Sequence, residues 1–146
     1  MYHYQECGLD NVYLANGYRE VETPYGPAVS VEDVYGLHKA IARGLVNTKP
    51  TLSGAEVRFI RKFLELTQVQ LADLLGVEDQ SVRRWEGLEE LPKQADRSVR
   101  LVFRDMLHDP DLSLGELIRR IAEARAPDRY EYRHRAKGWQ PETMAA

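Results

Sequence analysis

The residues with most chemistry to offer stand together in Asp79-Gln80-Ser81-Val82-Arg83-Arg84. A glutamine amide can pair with adenine through N6 and N7, an arginine fork can hold guanine, and an aspartate can accept from cytosine N4. Each good contact of this kind is worth roughly 1–3 kcal/mol of base discrimination. The stretch nevertheless starts with two carboxylates, Glu78 and Asp79, where a helix approaching phosphates should welcome positive charge. Two readings of Asp79 stay open: a base-edge acceptor, or a favourable charge at a helix N-terminus. For Arg83 and Arg84 the alternative is a solvated helix face.

Such side chains are useful only on a helix braced by another. Two short helices joined by a tight turn need a small residue where they cross, glycine at the turn and apolar residues between them. Ala72 and Gly76 meet the first two needs, and Leu71, Leu75, Val77, Val82 and Trp85 supply the seal. Thr67 with Gln70 forms a capping box at the head of the first helix, and Ser53 with Glu56 forms another at the head of the helix before it. After Pro92 the pattern predicts a helix over about 93–108 and another from about 113 to 124, started by Asp111 or Ser113.

The run LTQVQLADLLGVEDQSVRRWEG resembles the Xre/Cro-type helix-turn-helix of phage repressors and many bacterial regulators. The resemblance covers about residues 52–107 and implies a five-helix domain. It makes Gln68–Leu75 the scanning helix and about Asp79–Glu86 the recognition helix. It also implies that Gln68 bonds a phosphate beside backbone N–H groups, and that Asp79, Gln80 and Arg84 face base edges. Ser81 belongs to the same DNA-facing set, Arg83 meets a phosphate, and Arg61 with Glu86 forms a structural ion pair. The chain departs from the family at Glu78, which stands where Ser or Thr usually caps the recognition helix. Binding to two half-sites as a symmetric dimer would offset so acidic a reading helix.

Ahead of this domain, residues 1 to about 28 read as short strands, with Asn16-Gly17 as a hairpin turn and Pro24, Gly26 and Pro27 closing the region. A helix is predicted from the Ser30 cap to a Gly44 stop, followed by an NTKPT linker. The tail RYEYRHRAKGW interleaves basic and aromatic residues. It can be an arm that touches DNA, a strand that pairs with the N-terminal hairpin, or a segment that folds on a partner, and the alternation of Tyr130, Tyr132 and His134 favours a strand. The expected fold class is mainly α: a five-helix Xre/Cro-like domain preceded by a small α+β N-terminal region. The domains expected are 1–50 (α+β), 51–125 (helix-turn-helix with C-terminal helices) and 126–146 (a basic, aromatic tail, partly disordered).

A strand-rich N-terminal region, a linker and an Xre domain in this order are similar to MqsA-type antitoxins, which hold a toxin with the first part and an operator with the second. The paired CxxC zinc motifs of that group are missing, since the chain has one cysteine, Cys7. His3, Cys7 and His38 are read as isolated residues, so neither a metal nor another cofactor is expected. No nucleophile–base pair, phosphate loop or paired-carboxylate motif points to an enzyme. With no signal peptide or membrane-length apolar run, a cytoplasmic protein without membrane contact is expected. The net charge of −3 does not advertise nucleic-acid binding, and charge has to be read locally. The two resemblances imply a sequence-specific transcriptional repressor, the antitoxin and autorepressor of a toxin–antitoxin operon. Its partners would be double-stranded operator DNA, a second copy and a cognate toxin. The alternatives are a protein-interaction scaffold, or a phage-type or ligand-responsive regulator.

Overall fold

The computed structural model describes residues 1–108 and 113–142. They fall into two compact units, Met1–Ile41 with Pro127–Ala146, and Ala42–Ala126. Among the described residues helix takes 47% and strand 20%, in six helices and two sheets, so the protein is α+β. The expectation of a mainly α chain on five helices is thereby overturned. The extra strand comes from the tail and from residues 26–31, while the helix before the linker was expected.

In the first unit, β1 (Tyr2–His3), β2 (Val12–Leu14), β5 (Tyr130–Arg135) and β6 (Gly138–Pro141) form one sheet in the order β1-β2-β5-β6, with β2 parallel to β5 and the other pairs antiparallel. β3 (Tyr18–Thr23) and β4 (Gly26–Val31) form a separate two-stranded sheet. The hairpin turn is therefore at Pro24-Tyr25, with Thr23 opposite Gly26, and not at Asn16-Gly17. Asn16 instead uses its side-chain amide as a strand would. Its Nδ2 donates to the His134 carbonyl at 3.0 Å, and its Oδ1 accepts from the His134 N–H at 2.6 Å. Gly17 (φ +74°) leaves room for the Trp139 ring, which any side chain there would strike. Ser30 lies in β4, and the helix cap is Asp33, whose Oδ1 accepts from the Gly36 N–H at 3.1 Å. The helix α1 (Val34–Thr48) runs through Gly44 and takes in the first residues of the expected linker. Tail residues 130–135 and 138–141 are strands joined by a turn, whereas 143–146 lie outside the described residues.

Within this unit the core holds Leu9, Val12, Leu14, Leu37, Ile41, Tyr132 and Trp139. Tyr4 is buried too, and its hydroxyl lies 2.8 Å from His38 Nε2. Burial pushes the phenol up to about 12 and pushes the His38 imidazole below its ordinary value. At neutral pH, then, the phenol is protonated and the ring is neutral. Among the described residues no helix is long and apolar enough to cross a membrane.

The second unit contains α2 (Gly54–Phe63), α3 (Gln68–Leu75), α4 (Asp79–Trp85), α5 (Lys93–Leu107) and α6 (Leu114–Glu123). Both capping boxes are complete: Ser53 with Glu56 on α2, and Thr67 with Gln70 on α3. Ser113 caps α6 by accepting from the Glu116 N–H, while Asp111 lies outside the described residues. The unit's core includes Leu52, Val57, Ile60, Leu71, Val82, Val99 and Phe103. It also encloses a charge pair that sequence reading missed. Asp96 and Arg100 are both fully buried, with Arg100 Nε 2.9 Å from Asp96 Oδ2. Arg100 further donates to the carbonyls of Val46 and Lys49, each at 2.7 Å, and Asp96 Oδ1 accepts from the Leu52 N–H at 2.7 Å.

Removing Asp96 leaves the Arg100 charge buried without its counter-ion. Asp96→Ala should cost about 3–5 kcal/mol, read from urea unfolding; a loss within experimental error would show that the pair does not hold the unit. The His38 shift gives a pH effect of definite sign. An unfolded imidazole binds a proton near pH 6.5 that the buried ring resists, so the unfolded state gains protons first and stability falls as pH drops below 6.5. His38→Gln should remove that part of the slope in melts followed between neutral and mildly acid pH.

Candidate nucleic-acid interface

The α3–α4 pair is built as a helix-turn-helix needs. Gly76 closes α3 in the left-handed region (φ +69°), and its N–H reaches the carbonyls of Ala72 and Asp73. Glycine takes this conformation without strain. Leu71, Ala72, Val82 and Trp85 are buried, whereas Leu75 is only half-buried and Val77 is exposed. The seal is thus narrower than expected, made by the last turn of α4 against the middle of α3. Gly54, the first residue of α2, comes so close to the end of α4 that a side chain would run into the Trp85 and Glu86 carbonyls. Its N–H donates to the Leu88 carbonyl at 2.8 Å.

Glu86, just past α4, ties three helices together. Its carboxylate takes two bonds from Arg61 of α2, Nε at 2.7 Å and a terminal guanidinium nitrogen at 3.1 Å. It takes a third from Gln68 Nε2 at the head of α3, at 3.1 Å. Arg61 also donates to the Leu66 carbonyl at 2.9 Å, which fixes the α2–α3 turn where Glu65 adopts φ +59°. The two charged side chains are 10% and 7% exposed. Two-pronged pairing with this little water fixes direction as well as distance.

On the outer side of α4, Gln80, Arg83 and Arg84 are exposed, with Asp79 and Ser81 half-buried. At 100° per residue, 79, 80, 83 and 84 occupy an arc of roughly 140° opposite Val82 and Trp85. The structure brings four of the expected residues onto one surface and sends Ser81 toward its edge. Asp79 is not free on that surface, because its carboxylate binds the Arg83 guanidinium one turn on. Glu78 holds the N-cap position of α4 and makes no side-chain capping bond. Gln68 is half-buried with its amide nitrogen turned to Glu86, so its free group is the carbonyl oxygen.

Beside this surface is a concavity of about 790 Å³ whose lining includes Arg58, Lys62, Thr67, Gln68, Arg83 and Glu86. Arg58 and Lys62 stand one turn apart on the exposed face of α2 and form no ion pair among the described residues. Arg58 and Lys62 give the hollow cationic donors for an anion, set against the Glu65 carboxylate that also lines it. Neither Arg58 nor Lys62 stands out in the sequence by type alone. Their i, i+4 spacing was the signal that they share a face.

His3, Cys7 and His38 do not converge. His3 Nε2 lies 2.7 Å from the Asp10 carbonyl, Cys7 Sγ donates to the Tyr4 carbonyl at 3.6 Å, and His38 faces Tyr4. Among the described residues no three His, Cys, Asp or Glu side chains are grouped to hold a metal ion. Comparison of the chain with protein-family models, curated proteins and solved structures finds no match.

Glu86→Ala would strand Arg61 in a poorly hydrated site. It should destabilise the protein by about 3 kcal/mol in urea unfolding, and Arg61→Met in the same chain should recover most of that loss. Equal losses that simply add would mean that the two side chains act separately.

Proposed function

We propose that this chain is a sequence-specific DNA-binding repressor that works as a dimer. In keeping with its likeness to MqsA-type antitoxins, we read it as the antitoxin and autorepressor of a toxin–antitoxin operon. The observation that carries the first part is the α4 surface, where Gln80, Arg83 and Arg84 are exposed while Val82 and Trp85 lock the helix from behind. Arg84 forks onto guanine and Gln80 onto adenine. Arg58 and Lys62 hold the phosphates at the flank, and Gln68 supports α3 through Glu86. Asp79 acts as a filter. Releasing Arg83 to a phosphate leaves its carboxylate needing a donor, which cytosine N4 supplies and most other base edges do not. Dimerisation through the helices after Pro92 doubles the phosphate contacts of a domain with few cations of its own.

One observation favours a second reading, a protein-interaction scaffold. Val69, Leu74 and Val77 are exposed along α3 and its turn, beside the uncapped Glu78 carboxylate. That surface suits a protein better than a polyanion.

Gel-shift titration against the chain's own promoter separates the two. The wild type should prefer promoter over scrambled duplex, and Arg84→Ala should lose roughly 5–150-fold of that preference, the equivalent of one base-edge contact. Asp79→Asn should bind scrambled DNA more tightly while discriminating less. A wild type that ranks both duplexes equally would leave only the scaffold reading.

A further inference from the structure

The four-stranded sheet has a second face, turned away from the core of its unit. Strand pairing puts Val12, Leu14, Tyr132 and Trp139 on the buried side, and alternation then puts His3, Tyr13, Glu131, Arg133, Arg135 and Gln140 on the other. From residue 129 to 142 the chain carries Arg129, Arg133, Arg135 and Lys137 against Glu131 and Glu142, although its total charge is −3. The carboxylates do not cancel these cations. Glu131 is 2.7 Å from Arg129, and the single Glu142 carboxylate is shared by Arg133 and Arg135. Lys137, exposed in the β5–β6 turn, has no ion-pair partner among the described residues. The Arg133 and Arg135 side chains are 41% and 51% exposed, so donors of both remain open to solvent.

We propose that this sheet face grips the phosphate backbone of duplex DNA, with Arg133, Arg135 and Lys137 as the contacts. The inference rests on the reading of the chain as a DNA-binding protein but not on α4. Alternate residues of a strand stand about 6.6–6.8 Å apart, which lets Arg133 and Arg135 meet successive phosphates of one strand. The other features of the face favour backbone contact. Single-stranded nucleic acid would want a free aromatic platform. Here the Tyr13 ring is already stacked on His3 at 4.4 Å and covered by Arg129 at 5.2 Å. A protein partner would want apolar surface to bury, and the outward residues in the strand pairing include no aliphatic side chain. The face therefore adds affinity and salt sensitivity while reading no sequence.

The test uses the full chain and fluorescence anisotropy on labelled duplexes, one just covering the promoter site and one several helical turns longer, over a salt series. Neutralising Arg133, Arg135 and Lys137 to Gln should lower the slope of log K against log salt by about 2–3 on the long duplex, with a loss of affinity on the order of tenfold or more. Sequence preference should be kept. Lys137→Gln alone, at an exposed turn where folding is not at stake, should lower the slope by about one. Glu142→Gln should do the reverse of the triple variant and tighten binding, since it frees two guanidinium groups. Arg84→Ala should leave the slope difference intact. A wild type without sequence preference whose salt slope still falls in the triple variant would remove the α4 reading and keep this one. Wild-type slope and affinity in both the triple variant and Lys137→Gln would overturn the proposal and point to an acidic protein segment instead.

Discussion

Two opposite charges without access to water, Asp96 and Arg100, set the frame of the second unit. Burying them costs several kcal/mol each in lost hydration, so the pair persists only because its remaining donors and acceptors are all used. Those uses give it reach. Arg100 takes the carbonyls left over where α1 ends, a place where a cation also meets the negative end of the helix. Asp96 takes the Leu52 N–H, one residue before the Ser53 cap. The start of α2 is thereby placed by α5, and Gly54 then allows the end of α4 to close against it. The crossing of α3 and α4 follows from a contact more than ten residues away in sequence.

The acidic balance of this region takes on a different meaning once its carboxylates are located. Glu56 is buried, and its carboxylate accepts from Lys49 and from the Ser53 N–H of its capping box. Glu86 is consumed by Arg61 and Gln68, and Asp79 by Arg83. The charge of Glu56 and Glu86 is spent inside the fold and does not repel a phosphate as free charge would, whereas Asp79 is paired at the surface. Arg58, Lys62 and Arg84 remain exposed and carry no such pairing among the described residues. Glu65, Asp73, Glu78, Glu89 and Glu90 also stay exposed, so these three cations form a local patch on a region that remains acidic.

Much of the second unit was legible because its signals are local. The Ser53 and Thr67 boxes, Gly76 and the period of Leu71, Val82 and Trp85 each act within a few residues, and α3 and α4 lie where those signals set them. The first unit was less legible because its order is non-local. Parallel pairing of β2 with β5 joins residues more than a hundred positions apart, and no turn dipeptide announces it. Asn16-Gly17 is a strong hairpin signal that was used otherwise, for an amide bridge to His134 and a space for Trp139. The burial of Arg100 was equally hidden. An arginine in an amphipathic helix reads as solvated until the carbonyls it serves are known.

The parallel pairing of β2 with β5 also constrains the order of events during synthesis. Strands β5 and β6 leave the ribosome only after all of the second unit has been made. The second unit can complete its core while the chain is still growing, whereas β1 and β2 must wait with their partner edge uncovered. For that interval Val12 and Leu14, among the most deeply buried side chains of the finished fold, lie on a strand with one edge unpaired. The nascent protein is thus exposed to mispairing at its first strands for as long as translation of the rest takes.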